Sequence, residues 1–419
     1  MWKESSEDKQ PLRTGLTTGT CATACAVAGA HYLLSTSDEP LALHSTQSSR
    51  PHTAPYSPQQ VSITLPKAKS IGKTVELTIE QYHPCSSSST QGKPCVTTST
   101  IKDAGDDPDA THGATVFVEL QLTPTVGITF SAAKGVGTVT REGLLLAVGE
   151  PAINPVPRQM ICQHLGDVAK HYDYNGGFIV AIGVENGESI AQKTMNPRLG
   201  IMGGLSILGT TGIVRPFSCA AWIASIYQGM DVATANGIDH LVATTGNTSE
   251  ASIKQYYQDQ GAPLSDMALI EMGDFAGAVL KHGKNVAVHK LTLCGGIGKI
   301  SKLANGHMDL NSRVSAIDFE HLASIAKVLG ASAELLQKIV QANTSVEVMN
   351  LCQQENIAIA DRLCEIALQV ARKKLPKNIA LDIWAIDRKG NFVGYAKEAI
   401  SVDETDRNKK ISDEMDSIE

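Results

Sequence analysis

Four glycine turns interrupt the second half of this chain, and each follows a short apolar run. They are Gly209-Thr-Thr-Gly212, Gly246-Asn-Thr-Ser-Glu250, Gly273-Asp-Phe275 and Gly295-Gly-Ile-Gly-Lys299. Residues 205–208, 240–244, 267–272 and 285–293 precede them with strand composition, and residues 218–230, 249–257 and 276–282 can continue as helices. Strand, glycine turn and helix in repeated order predict a parallel sheet whose loops emerge along one edge. Ligands of such sheets sit beyond the carboxyl ends of the strands, where glycine lets the backbone come close. The second half is therefore expected to carry a small-molecule site.

At 419 residues the chain exceeds one ordinary core, so two domains are expected. Hydrophobic content of 42% and charged content of 19% describe a globular protein with ample core-forming residues. A formal charge of −7 argues against general nucleic-acid binding but leaves room for a local cationic pocket. Nine cysteines include no C-x-x-C pair, which disfavours a zinc ribbon, and the odd count disfavours a secreted disulfide framework. Reduced thiols in a cytoplasmic protein are expected. The polar, acidic N-terminus has no apolar targeting segment, and residues 21–34 are too short and too alanine-rich to span a bilayer.

Residues 11–197 read as an α+β domain. A helix is expected over 20–34, with strands at 61–65, 74–79, 114–122 and 126–131 and a helix over 158–171. Asn186-Gly187, between apolar runs at 178–184 and 189–193, signals a hairpin. Residues 35–60 and 84–99 are rich in Ser, Thr, Pro and Gln and read as surface insertions that folding can dispense with. Residues 198–400 form the expected α/β domain, with late helices at 320–329, 331–342 and 357–373 and a strand at 379–386. Residues 1–10 and 401–419 read as disordered, charged tails.

Lys102-Asp-Ala-Gly-Asp-Asp-Pro-Asp-Ala-Thr-His-Gly113 packs four aspartates and a histidine into one loop. Crowded carboxylates raise one another's pKa, so Asp103, Asp106, Asp107 and His112 are candidates for a proton acceptor or a cation site. A solvated turn accounts for the same residues, and both readings stand. Calcium-loop spacing is absent. Arg13-Thr-Gly-Leu-Thr-Thr-Gly-Thr20 sets an arginine, glycines and hydroxyls at a helix start, which reads either as an anion site or as ordinary capping. The 295–301 segment superficially resembles a phosphate-binding loop, but Leu occupies position 293 where the earlier glycine is required. No dinucleotide fingerprint follows the first strand either. An ATPase or ordinary NAD enzyme is disfavoured, and an adenosyl sulfonium compound stays open. Glu271 and Asp274 can accept ribose hydroxyls or simply favour a helix start. Cys21 and Cys25, four residues apart, read as a buried helix face rather than a metal pair. His282 and His289 receive no role.

Leu12-Arg-Thr-Gly-Leu-Thr-Thr-Gly-Thr-Cys-Ala22, the 102–113 loop, Gly135-Val-Gly-Thr-Val-Thr140 and Gly149-Glu-Pro-Ala-Ile-Asn-Pro-Val-Pro-Arg158 resemble the signatures of the CbiD family. So do Asn196-Pro-Arg-Leu-Gly-Ile201, Ser206-Ile-Leu-Gly-Thr-Thr-Gly-Ile-Val214, Glu271-Met-Gly-Asp-Phe275 and the 295–299 turn. The resemblance covers about residues 11–396. Its departures are the two insertions, the charged tail, and Leu16 where the family often has an aromatic residue. It implies a first domain like ribosomal protein S5 domain 2 and a Rossmann-like second domain. The implied reaction is methyl transfer from S-adenosylmethionine to a ring carbon of a cobalt corrinoid, converting cobalt-precorrin-5B to cobalt-precorrin-6A in anaerobic cobalamin synthesis. On that implication Gly209, Thr210, Thr211, Gly212, Gly246, Glu271 and Asp274 hold the methyl donor. Arg13, Thr17, Thr18, Thr20, Arg158 and Arg198 meet the corrinoid's carboxylates, and Asp103, Asp106, Asp107 or His112 takes up a proton. Cobalt arrives with the substrate, so no protein metal site is expected. The corrinoid is the expected partner, with neither nucleic acid nor membrane; a homo-oligomer or transient contact with other pathway enzymes stays open. Two rivals remain, a nucleotide-dependent transferase marked by ATP turnover and a corrinoid carrier that binds no methyl donor.

Overall fold

The computed structural model describes residues 11–36, 55–66, 73–85 and 94–398. The tails and most of the 35–60 segment lie outside them, as do residues 86–93. The chain forms two compact units, divided between Ala220 and Ala221.

In the first unit, α1 (Thr18–Thr36) buries nearly its whole circumference. Cys21, Ala22, Ala24, Cys25, Ala26, Ala28 and Ala30 have no exposure, so small side chains are needed on every face. A helix this closely surrounded is the centre of its core. The strands are β1 (Gln60–Thr64), β2 (Thr74–Thr78), β3 (Gln81–Pro84), β4 (Cys95–Ile101), β5 (Thr115–Thr123) and β6 (Gly127–Ala132). After α2 (Pro155–His171) comes β7 (Gly177–Val184), then a short α3 (Gly187–Ala191). A mixed sheet runs β3-β4-β5-β7-β6, antiparallel except where β7 meets β6; β1 and β2 pair separately. Both α1 and α2 contribute to the core over this sheet, and α1 packs on β4, β5 and α2.

Three expectations change here. Residues 95–99, placed in an insertion, form part of β4, where Val96 and Thr98 have no exposure. Residues 84–99 are therefore not dispensable as a block. Asn186 does adopt a left-handed backbone (φ 55), but as the entry to α3 rather than a hairpin turn. Residues 198–220 pack within the first unit: Ile201–Met202 pairs with Thr138–Val139, Gly204–Leu205 with Gly135–Val136, and Ile213–Val214 with Gly15–Leu16. The 205–208 run therefore does not open the second sheet.

The antiparallel register of β3 on β4 sets Pro84 opposite Val96 and brings the Cα atoms of Cys85 and Cys95 to 5.3 Å. These two cysteines form a disulfide, against the expectation of reduced thiols throughout. Cys21 and Cys25 sit on the buried face of α1 as expected.

Helix α4 (Cys219–Ala235) begins at the boundary between the units. Then come β8 (His240–Thr244), α5 (Asn247–Asp259), β9 (Leu269–Glu271), α6 (Ala276–His282), β10 (Lys290–Gly296) and α7 (Ile297–Ala304). Helices α8 (Phe319–Val328), α9 (Ala333–Val340), α10 (Ser345–Gln354) and α11 (Ile359–Arg372) lead to β11 (Ala380–Ile386) and β12 (Phe392–Lys397). The sheet order is β9-β8-β10-β11-β12, parallel except for the last strand. From β8 the chain goes through α5 to β9 on one side, then through α6 to β10 on the other. This reversal makes a topological switch point at the carboxyl ends of β8 and β10. Leu291, Leu293 and Cys294 of β10 are all buried, as befits a strand covered on both faces. Among the described residues no helix is long and apolar enough to cross a membrane.

At the amino end of this sheet, His240 is bonded to Thr292 Oγ1 (2.9 Å), near the Lys290–Asp382 ion pair (2.6 Å). Burial, then the Lys290 ammonium, push the imidazole from 6.5 down to about 4, against the opposing charge of Asp239. Above the unfolded value the ring is neutral in both states. Between that value and the folded one, only the unfolded chain binds the proton, so stability falls as pH falls through that window. The urea midpoint should drop between about pH 7.5 and about pH 5, and His240→Gln should drop less. An equal drop in both proteins would assign the acid sensitivity elsewhere.

Candidate functional site

Three of the sequence motifs converge in the first unit. The Arg13 guanidinium forks onto the Asp103 carboxylate, with Nη2 donating to Oδ1 at 3.0 Å. Arg13 N donates to Asp106 Oδ2 (2.6 Å), and Phe217 N to Asp107 Oδ1 (2.9 Å). Ala104 N donates to His112 Nδ1 (3.1 Å), so the neutral ring carries its proton on Nε2. The 102–113 loop thus binds segments 13–16 and 213–217 to one another. Beneath it the Lys102 side chain, 2% exposed, is held by Asp109 and Thr111.

These contacts reverse one electrostatic expectation. The hydrogen bond from Arg13 and the N–H of Gly105 hold Asp103 below the usual carboxylate range. Burial pushes Asp109 up, but the Lys102 ammonium and hydrogen bonds from Lys102 and Thr111 outweigh it, and the carboxyl ends below its ordinary value. Cations and hydrogen-bond donors, from Arg13 and from within the loop itself, dominate here, where crowding alone predicted a rise. Asp107 is the half-buried candidate with one oxygen fixed by a backbone donor. Phe217, which supplies that donor, holds a left-handed backbone (φ 53) with its ring exposed. For a bulky residue this conformation is strained and has to be held in place.

At the start of α1, Thr17 Oγ1 accepts Thr20 N (3.2 Å), while Thr20 Oγ1 donates to Gly212 O (2.8 Å). Thr17 N reaches the same carbonyl at 3.1 Å, and Thr18 Oγ1 meets Leu208 O at 3.4 Å. The three threonines are buried: the Thr20 hydroxyl fastens Gly212 onto the helix, that of Thr18 meets Leu208, and that of Thr17 caps the first turn. Gly212 has φ +77, and a Cβ there would lie 2.6 Å from Leu65 Cδ2 and 2.9 Å from Thr20 Oγ1. Gly209 likewise leaves room for the Thr17 side chain. A larger residue at Gly212 therefore disturbs first-unit packing whether or not a cofactor approaches. Thr210 is exposed, and Thr211 Oγ1 bonds to Ile213. Arg158 donates to Glu150 Oε2 and Ile153 O, both at 2.8 Å, and lies over the Phe130 ring. Arg198 sits part-buried in the 196–200 turn.

Gly246, Glu271 and Asp274 belong to the second unit. A cavity of about 510 Å³ opens beyond the carboxyl ends of β8, β10 and β11. Its walls include 245–249 after β8, 296–299 and Lys302 on the β10 side, Ser345 at the start of α10, and Asp387 and Arg388 after β11. Asp274 is ion-paired with Lys299 and accepts Asn311 Nδ2 at 3.1 Å. Glu271 offers its carbonyl to Trp222 Nε1 (3.2 Å), whose ring covers Gly273. Burial and then the neighbouring Lys302 lower the pKa of Lys299; burial lowers that of Lys302. Sequence reasoning missed Lys302, Ser345 and Arg388. Arg388-Lys-Gly-Asn391 has an ordinary turn composition, and only the sheet order brings it to this edge. Among the described residues no group of three or more His, Cys, Asp or Glu side chains is placed to hold a metal ion.

A mostly parallel sheet with a glycine-bordered cavity at its switch point makes the second unit an α/β module, with an opening where ligands of such sheets sit. Residues 5–216 match the CbiD family model, and residues 309–397 match that of the CbiD C-terminal domain. The chain is 57% identical over 411 residues to the cobalt-precorrin-5B C(1)-methyltransferase of Marinomonas sp. (strain MWYL1), covering 95% of this chain and 98% of that one. It is 51% identical to the enzyme of the same name from Pseudomonas savastanoi pv. phaseolicola, covering 97% of this chain and 100% of that one. The crystal structure of the cobalamin biosynthesis protein CbiD from Archaeoglobus fulgidus aligns at 25% identity and a TM-score of 0.33, over 68% of this chain and 78% of that one. This chain belongs to the CbiD family.

The Lys102–Asp109 pair gives this site a stability test. Lys102→Met strands the part-buried carboxylate of Asp109 and should lower unfolding free energy by about 3–5 kcal/mol in urea titration. A change within about 0.5 kcal/mol would mean that the pair contributes little to holding the loop.

Proposed function

We infer that this chain methylates C1 of cobalt-precorrin-5B in cobalamin biosynthesis, the reaction for which its 50–57% identical relatives are named. We read S-adenosylmethionine as the donor and the switch-point cavity of the second unit as its site. The observation that carries this placement is the cavity itself, bordered by glycine turns and of a size that takes a nucleoside ligand. Gly246 and Asp274 line or flank it, and Glu271 ends the adjacent strand β9. The 209–212 loop, which belongs to the first unit, supports α1 instead. Transfer forms a C–C bond, leaves the S–CH₃ electron pair on sulfur as S-adenosylhomocysteine, and releases a ring proton to a base. The sulfonium is already a strong electrophile, so holding the nucleophilic carbon in line supplies most of the acceleration.

Among the four candidate bases the geometry favours Asp107. Asp103 is engaged by Arg13, and His112 must give up Ala104 N–H to accept a proton at Nδ1. Arg13, Arg158 and Arg198 remain the cations proposed for the corrinoid's carboxylates, with the threonines of the α1 start in support. The finer fold assignments, S5 domain 2-like and Rossmann-like, and a cytoplasmic location belong to the same reading.

Calorimetry with S-adenosylmethionine tests the donor site. Asn247→Trp, an exposed position on the cavity wall, should weaken binding about tenfold or more with an unchanged melting temperature. Undiminished affinity in that folded variant would move the donor elsewhere.

Asp107→Asn should lower the single-turnover methylation rate by about 10²–10⁴ at similar donor affinity. His112→Gln should lower it less. A normal rate in Asp107→Asn with bound corrinoid would leave the loop a structural turn.

A further inference from the structure

We propose that the switch-point cavity contains a built carboxylate subsite, with Lys302 as its direct partner, Arg388 at its rim and the uncapped starts of α5 and α7 as further donors. The proposal rests on the methyltransferase reading above and deepens it by naming the ligand group recognised. Lys302 is 6% exposed and lines the cavity. Its ammonium donates to Leu310 O at 3.0 Å; Asp309 acts on it only through its charge, and no ion pair among the described residues includes it. A buried ammonium has three donors, so two are left beyond the one acceptor it meets among the described residues. Such a group is costly to bury unless an anion meets it.

The helices point to the same charge. The N-caps of α5 and α7 are Gly246 and Gly296, which have no side-chain oxygen to cap the first-turn N–H groups. Both helices start on the cavity wall, where their dipoles favour negative charge. Lys299 is already ion-paired with Asp274, so Lys302 is the cation best placed to respond to a ligand. Ser345 adds a hydroxyl from the start of α10. Asp387 stands beside Arg388, but its carboxylate accepts Lys389 N (2.8 Å), Asn391 N (2.9 Å) and Asn391 Nδ2 (2.8 Å) and is held within its own turn. The donor's α-carboxylate and a carboxylate arm of the corrinoid share the required chemistry.

The test compares S-adenosylmethionine with its decarboxylated analogue, which keeps the sulfonium and ammonium, by calorimetry on the full chain. The corrinoid KM is measured in parallel. Lys302→Met and Arg388→Gln are the variants, with circular dichroism to confirm folding; exposed Arg388 serves if Lys302→Met fails to fold. If the donor's carboxylate occupies the subsite, the wild type prefers S-adenosylmethionine about tenfold or more. The substitutions then erase that preference without weakening the analogue. Unchanged donor binding with a corrinoid KM raised about tenfold keeps the subsite and assigns it to the corrinoid. Wild-type binding and KM that survive in the folded variants overturn the subsite alone. Wild-type protein that binds neither donor nor corrinoid overturns the methyltransferase reading and the subsite with it.

Discussion

The order of strands in the second unit decides where a ligand can sit. Because the chain leaves β8 toward β9 and then lands on β10 across the sheet, the loops after β8 and β10 diverge. The opening between them lies at strand ends whose following helices begin with unpaired N–H groups. Gly246 and Gly296 keep those groups uncapped, and removal from bulk water strengthens their field. Position, polarity and volume of the cavity therefore share one topological origin.

The first unit achieves the opposite arrangement with similar residue types. Its carboxylates meet donors from other segments: Asp103 the Arg13 side chain, Asp106 the Arg13 backbone and Asp107 the Phe217 backbone. The loop must hold these strands together before it can do any chemistry. The two tasks are compatible, since a carboxylate fixed through one oxygen presents the other in a defined direction, as a positioned base requires. Phe217 is consistent with this, since its left-handed backbone is stabilised by the bond that orients Asp107.

Where local pattern and tertiary contact agree, the sequence was legible. Residues 240–244 and 276–282 are the strand and helix expected, because apolar spacing and flanking glycines specify them without outside help. The 205–208 run has the same local appearance, but Ile207 N bonds to Ala152 O within the first unit. The partner determines its sheet, and no local pattern names the partner. Strand β4 was hidden by its threonines. Thr98 Oγ1 donates to Cys25 O (2.7 Å) and Thr100 Oγ1 to Thr78 O (2.6 Å), so these two threonines are buried at little cost. At the candidate sites the motifs were visible, but which motifs meet was not. The 209–212 turn looked like one of four equivalent glycine loops until its carbonyl was found on the α1 threonines.

Two buried lysines among the described residues show most clearly why composition could not reveal function. Lys102 and Lys302 are 2% and 6% exposed, and on sequence each is one more charge in an acidic chain. Lys102 is matched by Asp109 and Thr111, so desolvation is offset within the protein and the pair stabilises the loop. Lys302 reaches one carbonyl, and burial lowers its pKa by more than the opposing charge of Asp309 raises it. A chain that keeps an ammonium under those conditions does so at the expense of its own stability, unless a ligand returns the missing interactions. In the proposed subsite the incompletely matched cation is the recognition group, whereas the matched one belongs to the scaffold.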